Sequence, residues 1–177
     1  VLNEILFDPQ VGGKDFLAFI NRSEKVLKIS DLTLSNGKQQ AAISSPLLLF
    51  PGELFALSEE PEDVCSRYPC PHPERLFFNE LPTFGPDTGT VLLLFAQFPD
   101  TQMLVIDSFR YDKDFHHPLL KERKGVSLER QRPDLPTADR HNWLSAAENW
   151  GFATPTGRNS HFFEKAFQDT SGFFQLE

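Results

Sequence analysis

The densest set of side chains able to do chemistry is His116-His117, which stands among Asp107, Asp112 and Asp114. Imidazole and carboxylate together can act as general acid and base or as ligands of a divalent metal. His116, His117 and Asp112 are therefore the candidate set for a metal-dependent hydrolase or accessory domain. Adjacent residues on a strand point to opposite faces, so the two imidazoles could chelate one ion only from a loop. The competing expectation is a polar loop with surface histidines. Ser127 and Ser160 have no base near them in sequence. No Gly-x-Ser-x-Gly elbow, His-Glu-x-x-His, P-loop or dinucleotide fingerprint occurs. Asp87-Thr88-Gly89 lacks the regular acidic spacing of a calcium loop. The expectation is a chain that is not an enzyme and carries no cofactor.

Four further residues are expected to serve the fold. If residues 126–130 form a strand, alternation puts Val126, Leu128 and Arg130 on one face, bringing Arg130 towards the core. A buried guanidinium needs a partner, and Glu4, set among Leu2, Ile5, Leu6 and Phe7, is the candidate. The pair would tie the first and last strands together, the alternative being a charged ligand site. Trp143 is expected to fill the core rather than meet a ligand. Asn159-Ser160 reads as a turn that satisfies backbone donors. Cys65 and Cys70, in Cys65-Ser66-Arg67-Tyr68-Pro69-Cys70, have the spacing of a small disulfide loop in an oxidising compartment, with two free surface thiols as the other reading. Zinc would need more ligands than the nearby His72 provides. Asn21-Arg22-Ser23 is a glycosylation acceptor only in a eukaryotic secretory host.

The elements that must position these residues are short. Fourteen Pro and ten Gly punctuate the 177 residues, favouring many brief strands joined by tight turns. Strands are expected at residues 1–7, 15–20, 26–29, 32–34, 47–50, 54–57, 90–95, 103–109 and 126–130. The segments 47–50 and 54–57 are expected to meet at Pro51-Gly52, and 90–95 and 103–109 to be separated by Phe98-Pro99-Asp100. Residues 59–73, with Glu59, Glu60, Glu62, Asp63 and both Cys, read as a long surface loop, and 74–80 as a helical turn. Residues 111–124 read as another loop. About eight or nine strands at intervals of roughly 8–12 residues are the signature of an all-β sandwich with long loops and at most short helical turns. No amphipathic helix of the usual crossover length supports a βαβ reading. The domain is expected to span 1–165, with 166–177 as a tail or linker towards a following domain.

Composition narrows the partners. An apolar fraction of 40% suits a globular domain, and eighteen Phe suggest a core built on Phe rings. The net charge of −8 and pI near 5.1 argue against nucleic acid, whose phosphates require a concentrated basic face. The bases Lys121, Arg123, Lys124, Arg130, Arg132 and Arg140 are interleaved with acids and make no such face. No apolar run is long enough for a membrane span. The chain opens in a strand-like run without Met, so a signal peptide is expected to have been trimmed.

The most specific text is an ordered set of motifs. Gly125-Val126-Ser127-Leu128-Glu129-Arg130 is followed by Asn142-Trp143-Leu144-Ser145-Ala146-Ala147, Gly151-Phe152-Ala153-Thr154-Pro155 and Arg158-Asn159-Ser160. Asn3-Glu4-Ile5-Leu6-Phe7-Asp8-Pro9 and Asp15-Phe16-Leu17-Ala18-Phe19-Ile20-Asn21 stand at the start. Together they closely resemble the bacterial lamin-tail domain family, in the form found in large secreted or surface proteins of Bacteroidetes-type bacteria. The resemblance covers nearly the whole chain and implies an immunoglobulin-like β-sandwich without shared catalytic residues. Ala18 and Ile20 depart from the family's acid and aromatic, and Thr156 stands where its terminal turn usually has Gly, a costly exchange if that turn needs a positive φ. The implied function is a non-catalytic module of a larger extracellular, cell-surface or periplasmic protein, serving protein interaction, adhesion or domain positioning. Its partners would be neighbouring domains, other surface proteins or glycans. Carbohydrate binding is a further reading, with Tyr68, Tyr111 and Trp150 as candidate platform aromatics.

Overall fold

A computed structural model of the chain describes residues 1–96 and 102–162. The turn expected at Phe98-Pro99-Asp100 and the tail 166–177 lie outside the described residues. The first half contains β1 (Leu2–Leu6), β2 (Phe16–Ile20), β3 (Leu27–Lys28), β4 (Leu32–Ser35), β5 (Gln40–Ala42), β6 (Leu48–Leu49) and β7 (Leu54–Ser58). Among the described residues one α-helix, α1 (Pro61–Arg67), precedes β8 (Leu76–Phe78), β9 (Thr88–Ala96), β10 (Met103–Asp112), β11 (Leu128–Arg130) and β12 (Trp143–Ser145). The fold is all-β. It has twelve strands among the described residues rather than eight or nine, because pieces as short as β5 and β12 leave no alternation to read.

Six strands form one sheet in the order β12-β11-β1-β2-β7-β8, four form another in the order β10-β9-β4-β5, and β3 pairs with β6. Leu17 and Phe19 of β2 and Phe55 and Leu57 of β7 share a single buried cluster with Leu32 and Leu34 of β4, Val91 and Leu93 of β9, and Phe109 and Tyr111 of β10. The two larger sheets thus supply one common core, an arrangement compatible with a β-sandwich. Residues 47–50 do not meet 54–57 in a hairpin as expected: β6 joins β3, and β7 joins β2.

The six-stranded sheet is buried on its other face as well. Phe16 and Ala18, alternating with Leu17 and Phe19, pack there with Leu6, Ala56, Leu76, Val64, Tyr68 and Ala153. Val64 belongs to α1, which replaces the surface loop expected over 59–73. Pro61 opens the helix, Glu62 and Asp63 lie in its first turn and Arg67 in its last, each favourable with the helix dipole. Arg67 Nε donates to Asp63 Oδ1 across one turn at 2.8 Å. A 3-10 turn at Pro73–Arg75 takes up the start of the helical turn expected over 74–80, and the chain then re-enters the sheet as β8, parallel to β7. A short parallel crossover therefore exists, with a helix well below the usual length.

Candidate functional site

The start of β1 sets the site. The register between β1 and β2 shifts between Leu2 and Glu4, so one extra residue breaks the two-residue alternation. Leu2 and Ile5 consequently face the common core, while Leu6 faces the opposite side. Across the strand pair, Ile5 lies opposite Leu128 and Glu4 opposite Glu129. Two fully buried carboxylates therefore meet on the face away from the core.

Residues 153–160 cross that face and supply the donors. Glu4 Oε1 accepts from Ser127 Oγ at 2.6 Å and from Thr154 N at 2.7 Å. Glu129 Oε2 accepts from Ser160 Oγ at 2.5 Å and from Ser160 N at 2.8 Å. Thr154 Oγ1 lies between the pair, 2.8 Å from Glu129 Oε1 and 3.2 Å from Glu4 Oε2. Burial, reinforced by Glu129, pushes Glu4 up to about 8 against the opposing hydrogen bonds. Next to the pair, Asn159 Nδ2 donates to the carbonyls of Asn3 at 2.9 Å and Arg130 at 2.8 Å, joining β1 to β11. Asn159 thus satisfies carbonyls as well as turning the chain. Ser127 and Ser160, which the sequence leaves without a base, each have a carboxylate beside them, but the Ser127 hydroxyl lies in the same closed interior.

Arg130 does not pair with Glu4. It shares the core face with Leu128 and is fully buried. Its guanidinium donates to the carbonyls of Leu2 at 2.9 Å, Arg132 at 3.2 Å and Leu135. The nearby anion is Asp107, which counters part of the burial that lowers Arg130 to about 10. Asp107 is engaged by Leu2 N at 2.7 Å and by Thr137 Oγ1 at 2.5 Å. Trp143 closes this end, stacked on Phe109 at 3.9 Å with its indole Nε1 donating to Thr137 O at 2.8 Å. The sequence marks Glu4 as a charge inside an apolar strand. It does not reveal the bulge, and the bulge decides which side Glu4 takes.

The histidines are separated by the chain's own direction. His116 is buried against Phe7, with Nδ1 3.0 Å from Ser145 Oγ. Burial, with Arg123 adding to it, lowers His116 to about 4, so it is neutral at physiological pH. His117 is exposed and its backbone N–H donates to the same Ser145 hydroxyl at 2.9 Å. Asp112 accepts from Asp114 N at 2.8 Å and caps a short turn. No group of three metal-ligating side chains comes together among the described residues, so the proposed set of His116, His117 and Asp112 is not assembled.

Other expectations change in the same way. Tyr68 and Tyr111 are buried, Tyr111 donating to Gly85 O at 2.8 Å, so only Trp150 of the three proposed platform aromatics is exposed. Asn21 is buried, and its amide donates to Lys25 O and Leu49 O, leaving it closed to glycosylation in the folded protein. Cys65 and Cys70 are joined as a disulfide, resolving that alternative. Thr156 has no positive φ; among non-Gly described residues that conformation falls to Phe152, at 68°.

Two accessible features are apolar. A cavity of about 350 Å³ beside His117 is lined mainly by Leu119, Leu120, Leu144, Ala146 and Phe152. The edge strand β10 exposes Met103, Leu104, Val105 and Ile106 in succession, the most exposed being Val105 at 58%. No described helix is long and apolar enough to cross a membrane. Neither a family model, nor a curated protein, nor a solved structure matches the chain.

Proposed function

We propose that this chain is a non-catalytic attachment module with a lamin-tail-like, immunoglobulin-like β-sandwich, belonging to a larger secreted or cell-surface protein. The observation that carries this reading is the uncharged, exposed run Met103 to Ile106 on the edge of the four-stranded sheet. An edge strand offers unpaired backbone groups, which natural proteins normally protect with charge, proline or a covering segment. An exposed apolar edge therefore suits pairing with a neighbouring domain or a surface protein. The motif residues add support, since Asn3 contacts Asn159 and Glu4 contacts Thr154 across the length of the chain. The Cys65–Cys70 disulfide suits an oxidising compartment.

The test places a photo-crosslinking amino acid at Val105, or at exposed Lys38 as a control, in the whole protein on its producing cells. Attachment through β10 predicts adducts with neighbouring domains or surface proteins from position 105 that are weak or missing from position 38. Equal patterns from the two positions would contradict the reading.

A further inference from the structure

Counting hydrogens around Glu4 and Glu129 exposes a shortage. The Ser127 hydroxyl and Thr154 N–H serve Glu4, and the Ser160 hydroxyl and N–H serve Glu129. The Thr154 hydroxyl lies within hydrogen-bond reach of both carboxylates but has one hydrogen. Its shorter contact is to Glu129, so the contact with Glu4 Oε2 needs a hydrogen from the carboxyl itself. Two buried like charges at directly paired positions are also strongly unfavourable.

We infer that the folded protein keeps one proton on Glu4, and that residues 153–160 form a strap whose seating depends on it. Glu4 Oε2–H donates to Thr154 Oγ1, and Thr154 Oγ1–H donates to Glu129 Oε1. Loss of that proton to solvent leaves two carboxylates beneath the strap and removes one link of the chain.

Among the described residues, the groups acting on Glu4 are Glu129, which raises it, and the donors Ser127 and Thr154, with no cation among them. On the helix side the titratable group bearing on this face is Tyr68, whose phenol is raised by burial foremost and feels Glu4. The adjacent β2 presents Ala18 opposite Glu4. On the strap, Arg158 lies over the Phe162 ring and His161 beside the Ser145 carbonyl. Arg130 is on the other face of β11.

Gln reproduces a protonated Glu, with one acceptor oxygen and one donor. In Glu4→Gln the new amide can donate to Thr154 Oγ1. In Glu129→Gln the amide can also donate to Thr154 Oγ1, whose hydroxyl then turns to an ionised Glu4 Oε2 over the longer of its two contacts. Carbon-detected NMR of the carboxyl groups, with amide spectra of Thr154 and Ser160, tests this on the wild-type chain and both variants. The Glu4 carboxyl is expected to titrate near 8, against an ordinary 4.5, with both strap amides moving at the same midpoint. Glu4→Gln should fold with strap amides that no longer respond between pH 6 and 9, while Glu129→Gln, which removes the neighbouring charge, should lower the Glu4 midpoint. A Glu4 midpoint below 6, unresponsive strap amides in the wild type, a Glu4→Gln chain that does not fold, or a Glu4 midpoint unchanged in Glu129→Gln would overturn the inference.

Discussion

Arg130 is a buried cation stabilised largely by carbonyl oxygens, and this distinguishes it from one half of a salt bridge. Its hydrogen bonds hold the start of β1 and the loop after β11 to the same side chain. Arg130→Met would leave buried carbonyls without donors, and the expected loss in urea unfolding is about 3 kcal/mol. Arg130→Lys should lose less, because an ammonium retains the charge and some of the donors. Glu4→Gln should cost little at neutral pH. Were Glu4 the true partner of Arg130, removing either charge would be comparably damaging. The sequence made the demand for partners legible at both residues. It paired them wrongly because alternation assigns faces only along an unbroken strand, and the bulge between Leu2 and Glu4 reverses the assignment.

At the scale of elements, the long core strands were readable and the covering layer was not. The strand expected over residues 15–20 forms as β2 and is buried on both faces, because its alternate residues enter different clusters. The helix α1 was missed, although Pro61 at its start and the spacing of Asp63 and Arg67 are helix signals. A seven-residue helix shows too little periodicity to outweigh the surrounding prolines. Gly151 marks where the strap approaches this layer: its φ is 83°, and a Cβ there would lie 2.8 Å from Pro69 Cδ. Gly37 also has positive φ, at 87°, but has open space around it. Gly151→Ala should therefore lower the thermal midpoint further than Gly37→Ala, which bears only the backbone strain of roughly 1 kcal/mol. Equal shifts would mean that the turn at Gly151, just ahead of the strap, does not press on the Cys65–Cys70 loop.

For the whole molecule, the buried titratable groups pull stability in opposite directions. His116 is lowered from 6.5 to about 4, so the unfolded chain takes up its proton first and stability falls as pH drops through that interval. Glu4 is raised from 4.5 to about 8. Its contribution is full below about 4.5 and is lost as pH rises towards 8, because the unfolded chain releases its proton first. Asp15 acts in the same sense, raised by burial and by Glu59 and Asp8 from 3.8 to about 7. None of these limits is legible from composition, since burial and register create them.

The central claim is that the charged interior fastens the fold and leaves attachment to the surface. The most direct measurement is the urea unfolding free energy of the wild type and Glu4→Gln between pH 6.5 and 8, where the His116 contribution has become nearly constant. The account predicts that the wild type loses stability as pH rises, and that Glu4→Gln loses distinctly less over the same interval. Parallel curves for the two proteins, or a wild type that loses no more than Glu4→Gln over the interval, would contradict it.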